Sequence, residues 1–209
     1  LTEQLQAPLE VTGKIAGEVT GLDTNIQITA PQAAPISAES GYLTDMGRFF
    51  NMFDDRKLAQ DIFTALEDGR LDFRVQAEYP GVAPAYRKVQ MDALADRPRM
   101  ESLPLQEAMV ELLVRISLRK DERVPVPDIF LERAWAIDQI ARRLFRVEAT
   151  VEDTSEATLR AYEIIADAPN VEIPEEEWTD MDFDDEDASD EELESLLSQL
   201  RGEPSMQDM

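Results

Sequence analysis

The chain has 209 residues, of which 45 are acidic and 20 are basic, so its formal net charge is −25. A protein this negative repels nucleic acid and anionic membranes unless a basic patch offsets the charge, and the sequence shows no such patch. The sequence contains neither cysteine nor histidine, which excludes disulfides, thiolate metal sites and the commonest general base, and favours a cytoplasmic location.

Residues 1 to 41 predict an extended N-terminal arm. Segments 11–15 and 25–29 alternate weakly between apolar and polar residues, as short strands do. Helix formation is opposed by residues that break helices, namely Gly17, Gly21, Pro31 and Pro35. Because the first residue is Leu rather than Met, we expect the chain to be a piece of a longer protein or a processed product.

Residues 42 to 169 predict a helical domain, because apolar residues recur there at spacings of three and four. Capping residues or prolines mark the expected helix starts: Thr44, Asp54 or Asp55, Pro84, Pro104, Pro127 and, for a sixth helix, about Ser155. No apolar run approaches the roughly 18 residues of a membrane span. The predicted fold class is mainly α: an irregular helical bundle with an extended or weakly β N-terminal arm and a disordered acidic C-terminal linker.

Residues 170 to 190 predict that acidic linker. Between Glu172 and Glu194 the sequence has 14 acidic residues and no basic ones, so more than half of the net charge lies in 23 residues. Repulsion between like charges keeps such a segment extended. We therefore expect residues 172 to 190 to be mobile in the isolated chain.

Residues 190 to 209 predict a short amphipathic helix and a tail. Ser189 and Glu192 have the spacing of a capping box, and Gly202 suits the end of a helix. The helix carries leucines at i, i+3, i+4 and i+7, namely Leu193, Leu196, Leu197 and Leu200. Two interpretations of this stripe stay open. It docks on the chain's own helical body, or it binds a groove of a partner or of a following domain.

The acidic segment also contains a weak candidate for a metal site. Positions 1, 3, 5 and 12 of a calcium-binding loop are matched by Asp180, Asp182, Asp184 and Glu191. However, an aspartate, Asp185, stands where the loop needs glycine. In a run this acidic such spacing arises by chance, so the sequence predicts no specific metal site and no cofactor.

The most specific stretch runs from residue 62 to residue 82 and places a charge cluster inside a helical pattern: Glu67, Asp68, Gly69, Arg70 and Asp72. On a helix, Glu67 and Arg70 can pair, whereas Asp68 and Asp72 repel each other unless a cation such as Arg70 or Arg74 lies between them. One interpretation is a solvated face with local ion pairs. The other is an internal brace, in which Arg70 bridges carboxylates and Gly69 lets another helix approach closely. The helix is then ended by Tyr79, Pro80 and Gly81.

This stretch resembles the "LEDARID…YPG" helix of NorD-type proteins, a family named for activation of nitric oxide reductase. The cobaltochelatase subunit CobT and the rubisco-activation protein CbbO are similar in outline. The resemblance covers about residues 45 to 120, and its matching positions are Leu66, Glu67, Asp68, Arg70, Asp72, Tyr79, Pro80 and Gly81. Gly69 departs from the family's usual alanine, and Leu71 is a conservative change.

In that family a helical region precedes an acidic linker and a von Willebrand factor A (VWA) domain, and the protein works with a MoxR-type AAA+ ATPase. The segment 187–191 begins like the Asp-x-Ser-x-Ser metal motif of a VWA domain but lacks its last serine. The resemblance therefore implies the part that precedes the VWA domain, or a relative that lacks it.

The resemblance implies a non-catalytic adaptor or regulatory part of a MoxR-type AAA+ ATPase–VWA protein system that remodels, activates or metallates a target enzyme. An alternative is an acidic mimic of nucleic acid that occupies a basic protein surface, although that role favours charge spread over the fold rather than a terminal run. With no histidine, no cysteine and no phosphate-binding loop, the sequence does not predict an enzyme. It predicts neither nucleic-acid binding nor a membrane span.

Overall fold

The computed structural model describes residues 44–118, 123–182 and 188–201. The predicted N-terminal arm, Asp184, and the tail from Gly202 onward lie outside the described residues. Within these ranges the chain forms α1 (Asp45–Phe50), α2 (Arg56–Glu78), α3 (Ala83–Ala95), α4 (Leu105–Leu118), β1 (Val124–Pro127), α5 (Leu131–Arg142), α6 (Val151–Ala166), β2 (Trp178–Met181) and α7 (Asp190–Leu200). The predicted fold class, a mainly α bundle, is confirmed.

The core lies where α2 packs against α4 and α6, with α5 beside α4 and α6. Its centre consists of large side chains that are less than 2% exposed, among them Ile62, Met109, Leu112, Ile137 and Ile165. Burying such a side chain stabilises a fold by about 1.5–3 kcal/mol, so packing of the apolar faces, more than helix propensity, holds the bundle together. No helix in the described ranges combines the length and the apolarity needed to traverse a bilayer.

Helix starts follow the capping residues of the sequence. The Thr44 hydroxyl accepts the Gly47 amide at 3.0 Å and begins α1. The carboxylate of Asp55 accepts the Leu58 amide at 2.9 Å, so Asp55, not Asp54, caps α2. Pro84 lies in the first turn of α3, as predicted. These caps satisfy amides that have no partner inside the helix.

The sixth helix of the sequence prediction begins earlier than expected, at Val151 instead of about Ser155. The side chain of Thr150 accepts the Asp153 amide at 3.4 Å, and the Asp153 carboxylate accepts the Thr150 amide at 2.7 Å. These two bonds form a capping box with Asp in place of the usual Glu or Gln, which is why the pattern did not mark the start. The hydrogen bonds from Thr150 lower the pKa of Asp153.

The prediction that Pro127 opens a helix is wrong. Residues Val124–Pro127 form β1, a 3-10 turn follows at Asp128–Phe130, and α5 begins only at Leu131. Val124 and Val126 are buried in the core. A strand of four residues that includes two prolines is too short and too unusual for apolar alternation to reveal.

The prediction of a disordered linker over residues 170 to 190 is wrong at its centre. Residues Trp178–Met181 form β2, which pairs antiparallel with β1. Trp178 and Met181 are partly buried against the core, and the Trp178 indole N–H donates to the Ile173 carbonyl at 3.2 Å. Two large apolar side chains therefore order this segment despite the surrounding carboxylates.

Candidate functional site

Arg70 forms an internal brace between α2 and the start of α6. The side chain is only 5% exposed. Its guanidinium holds Glu67 with two bonds, Nε to Oε2 at 2.9 Å and Nη2 to Oε1 at 2.6 Å, and its Nη1 donates to the Ala149 carbonyl at 2.9 Å. Glu67 also accepts the Thr154 hydroxyl at 2.7 Å. Of the two interpretations of this charge cluster, the internal brace describes Arg70 and Glu67.

The brace changes the titration of its members. Burial works to raise the pKa of Glu67, but the hydrogen bonds from Arg70 and Thr154, together with the charge of Arg70, outweigh burial and lower that pKa. The bond to Glu67 raises the pKa of Arg70. Asp68 lies outside the brace: partial desolvation and the nearby charges of Asp72 and Glu67 raise its pKa. The fold therefore favours the ionised form of Glu67 and disfavours the ionised form of Asp68.

Gly69 lies at a close approach of α2 to α4. A Cβ added at this position would lie 2.7 Å from Ser117 Cβ and 3.2 Å from the ring of Phe145. Real Cβ atoms do not come as close as the first of these distances, so the glycine in the middle of the helix is there for packing. The close packing of α2 on α4 that Gly69 allows offsets the cost of about 1 kcal/mol that a mid-helix glycine carries relative to alanine.

Asp72 attaches α3 to α2 through neutral donors. Its carboxylate accepts the Tyr86 hydroxyl and, at 3.0 Å, the Gln90 side-chain amide, while the Gln76 side-chain amide donates to Oε1 of Gln90 at 3.4 Å. The bond to Asp72 raises the pKa of Tyr86 to about 12. Of the two cations that the sequence offers to separate Asp68 from Asp72, Arg70 holds Glu67 and Arg74 pairs with Glu78 at 2.7 Å.

A second ionic contact fixes the far end of α3. Glu111, on α4, is 3% exposed. Its carboxylate accepts Arg97, just past α3, at 3.0 Å and Arg115 at 3.1 Å. Arg115 also donates to the Pro98 carbonyl at 2.7 Å. Together with the Asp72 contacts, these bonds hold α3 at its middle and its end by polar groups.

Helix α3 presents an apolar stripe to solvent. Among its residues only Gln90, a polar one, is buried. The side chains of Val82 and Val89 are 45% and 66% exposed, and Ala85 and Ala93 beside them are exposed as well. These four residues, spaced i, i+3, i+7 and i+11 and called here the α3 stripe, share one helix face. Helix α3 therefore departs from the usual arrangement of a surface helix, because it buries a polar side chain and leaves apolar ones exposed.

The predicted helix end at Tyr79, Pro80 and Gly81 positions this stripe. Helix α2 ends at Glu78 with Tyr79 as its C-cap, and α3 begins two residues after Gly81. Tyr79 is 61% exposed, and no atom lies within 4 Å of a Cβ built on Gly81, so this turn is a surface feature. A cavity of about 740 Å³ on the other side of α3 is lined by Phe73, Arg87, Met91, Ile116 and Phe145, among others.

Of the two interpretations of the leucine stripe, the structure shows docking on the chain's own helical body, so the interpretation as a partner-binding site is corrected. Leu193 and Leu197 are 0% and 3% exposed and belong to the main core, and Leu196 and Leu200 pack against it partly buried. Ion pairs reinforce the docking: Arg143 with Asp190 at 2.8 Å, Arg201 with Glu163 at 2.9 Å, and Arg160 with Glu194. The predicted cap is present, since the Ser189 hydroxyl accepts the Glu192 amide at 3.2 Å.

The described members of the weak calcium candidate lie on different elements. Asp180 is in β2, Asp182 pairs with Arg123 at 3.3 Å, and Glu191 is in the first turn of α7. Asp184 lies outside the described residues. Within the described ranges, no group of three or more acidic, histidine or cysteine side chains could hold a metal ion.

The sequence patterns did not identify the site residues that are far from α2 in the sequence. Thr154 and Ala149 reach Glu67 and Arg70 across 87 and 79 positions, and no local pattern announces such contacts. Tyr86 and Gln90 could have been suspected, because a polar residue at a core spacing of a short helix is unusual.

Comparisons of the chain with protein-family models, with curated proteins and with solved structures find no match. What the fold and the site define is a class: a mainly α-helical bundle that displays a braced helical hairpin.

Proposed function

We propose that this protein is a non-catalytic, cytoplasmic adaptor of a MoxR-type AAA+ ATPase that acts, in a system with a VWA protein, on a target enzyme by remodelling, activating or metallating it. Two features support this role: the resemblance of residues 66 to 81 to the NorD-type helix, and the exposed apolar side chains of helix α3. The observation that carries it is the α3 stripe, because contiguous apolar residues on an exposed helix face are a feature of protein interaction sites.

Three of the residues that carry the resemblance, Glu67, Arg70 and Asp72, help to hold α2 and α3 in place. Arg70 and Glu67 fix α2 to the bundle, and Asp72 then fixes α3 to α2. Because these contacts fix α2 to the bundle and α3 to α2, the α3 stripe is held in a rigid position. A preorganised face loses little conformational entropy on binding. Structural residues of this kind suit a binding scaffold better than a reaction centre.

A partner helix or groove would bury the two valines of the stripe. Val82 and Val89 are seven positions apart in the sequence, which is the i, i+7 spacing that helix-in-groove recognition uses. The stripe is short, so the expected interface is small and its complex transient.

The test mixes the purified chain with a MoxR-type AAA+ ATPase from the source organism and measures the mass of any complex by size exclusion with light scattering; a source genome that encodes no such ATPase would also overturn the assignment. Val82→Asp combined with Val89→Asp should abolish the complex while leaving the thermal melt of the chain unchanged. The matched control is Met52→Asp, which changes an apolar side chain that is 70% exposed but lies on the segment after α1.

Equal binding by the two variants would overturn the role of α3, and absence of any complex with the wild-type chain would overturn the ATPase assignment. The acidic-mimic alternative has its own signature. It requires that the chain displace DNA from a basic DNA-binding protein, and that addition of salt remove this competition.

A further inference from the structure

The two prolines of β1 fix which backbone groups of β2 face outward. In an antiparallel ladder, residue pairs alternate between hydrogen-bonded and non-hydrogen-bonded. Pro125 and Pro127 have no N–H, so the hydrogen-bonded pairs are Val124 with Met181 and Val126 with Thr179. Asp180, which pairs with Pro125, must therefore direct its N–H and C=O away from β1.

The outer edge of β2 is open within the part of the chain that the structure describes. The sheet has two strands, β1 and β2. Asp180 is exposed, and its outward amide donates to no described residue outside the ladder. The Trp178 amide is used by the turn before the strand, since it donates to the Glu175 carbonyl. The edge therefore offers the amide and carbonyl of Asp180 and the carbonyl of Trp178.

The surroundings of this edge are strongly acidic. Exposed carboxylates flank it on both sides, namely Glu175, Glu176, Glu177, Asp180 and Asp182. Two arginines pair with members of this group at the surface, Arg99 with Glu175 at 3.1 Å and Arg123 with Asp182 at 3.3 Å. Asp180 lies in the strand and forms no ion pair with another described residue, and Glu176 and Glu177 lie just before the strand with exposed side chains. An incoming strand that carries cations would complement this surface.

We propose that the outer edge of β2 binds an extended, basic segment of a partner protein, which adds a third strand to the β1–β2 sheet. Backbone hydrogen bonds to Asp180 and Trp178 supply the pairing, and Lys or Arg side chains of the partner meet the carboxylate of Asp180 and the acidic residues around the strand. This surface lies on a different element from the α3 stripe, so the inference stands independently of the ATPase assignment. It gives the acidic segment a role that its charge alone does not define.

The test uses a synthetic eight-residue peptide of alternating Lys and Val, titrated into the full chain while the amide signals of β2 are followed by NMR. A second peptide of the same sequence carries N-methyl groups on alternate amides along the edge that would pair, which removes backbone pairing and keeps the charge. The unmodified peptide should bind at least tenfold more tightly than the methylated one and shift the Asp180 signal. Equal affinity for the two peptides, or no binding of either, would overturn strand addition.

A variant of the chain provides the complementary test. Asp180→Pro deletes the outward N–H yet leaves the ladder with β1 intact, because position 180 is in a non-hydrogen-bonded pair. Asp180→Asn removes the same charge and keeps the N–H. We expect Asp180→Pro to lose peptide affinity at least tenfold relative to Asp180→Asn, with both variants melting like the wild type. If the two variants bind equally, the attraction is purely electrostatic and the proposal fails. The peptide pair decides the matter on the wild-type chain should Asp180→Pro disturb the fold.

Discussion

Arg70 connects residues that are far apart in sequence, so its removal affects more than one helix. Arg70→Ala leaves the partly buried carboxylate of Glu67 without its cation and the Ala149 carbonyl without its donor. Breaking one side of a buried pair costs about 3–5 kcal/mol. We therefore expect the free energy of unfolding, measured by urea denaturation, to fall by that order.

Arg74 is the matched control for Arg70. It lies on the same helix and pairs with Glu78, but its side chain is 48% exposed. An exposed pair contributes under about 1 kcal/mol, so Arg74→Ala should change stability little. Arg70→Lys should also destabilise the chain clearly, because an ammonium group cannot form the two-pronged contact with Glu67. If Arg70→Ala and Arg74→Ala cost the same small amount, the brace has no energetic importance.

Gly69→Ala sets helix propensity against packing. Alanine favours the helix by about 1 kcal/mol, but its Cβ would meet Ser117 Cβ at 2.7 Å. Overpacking of this kind typically costs about 1–3 kcal/mol, so we expect a net loss of stability in thermal and urea unfolding. The same substitution combined with Ser117→Gly removes the obstructing atom. Gly69→Ala should then stabilise the Ser117→Gly variant, and a loss of equal size in both backgrounds would exclude the steric explanation.

Single-residue roles could be predicted from the sequence only where partners are neighbours on one helix. The spacing of Glu67 and Arg70 predicts their pairing, and Gly69 in mid-helix indicates a close approach. The sequence could not say which helix approaches, because Ser117 is 48 positions away. Nor could it assign Asp72 to Tyr86 and Gln90, since that choice depends on how α3 folds back after Gly81.

Elements were predictable where apolar periodicity and a cap agree, and less so where long-range contacts decide. The helix α7 follows from Ser189, Glu192 and the leucine spacing. The surface on which α7 docks could not be predicted, because a leucine stripe fits any apolar groove. Strands β1 and β2 order each other across 50 residues of sequence, so neither segment carries a strong signal by itself.

Helix α7 should be an integral part of the stability of this chain. Eleven residues form a marginal helix alone, so its order depends on the buried Leu193 and Leu197. Leu193→Ala and Leu197→Ala should each lower the free energy of unfolding by about 2–5 kcal/mol, since each opens a cavity in the core. Urea denaturation and hydrogen exchange of α7 measure the effect. Glu191→Ala, on the exposed face, is the control, and unchanged stability in the leucine variants would return the stripe to a role in partner binding.

At the scale of the whole molecule, the charge is divided between a body with local ion pairs and an acidic segment that β2 anchors to it. Carboxylates of lowered pKa appear where they act structurally: Glu67 in the brace, Asp153 at the start of α6 and Glu192 at the start of α7. The pKa of Asp68 shifts in the opposite direction: it is raised, because the folded state disfavours the charge of this carboxylate. Acid therefore removes stabilising charges from three places and relieves repulsion at one.

The pH dependence of Glu67 gives a prediction with a defined sign. A carboxylate whose pKa is lower in the folded state contributes stability that is fully present above its unfolded value, about 4.5, and is lost as the pH falls through the lower folded value. Glu67→Gln should therefore be much less stable than the wild type near neutral pH, and the difference should shrink below about pH 4.5 as Glu67 becomes protonated and resembles glutamine. Urea denaturation at a series of pH values from about 7 down to about 3 measures both curves.

Glu148→Gln, an exposed substitution with no hydrogen bond to another described residue, should follow the wild type throughout. A difference between Glu67→Gln and the wild type that stays constant down to the lowest pH would mean that shape, and not the charge held by Arg70, is what the brace supplies.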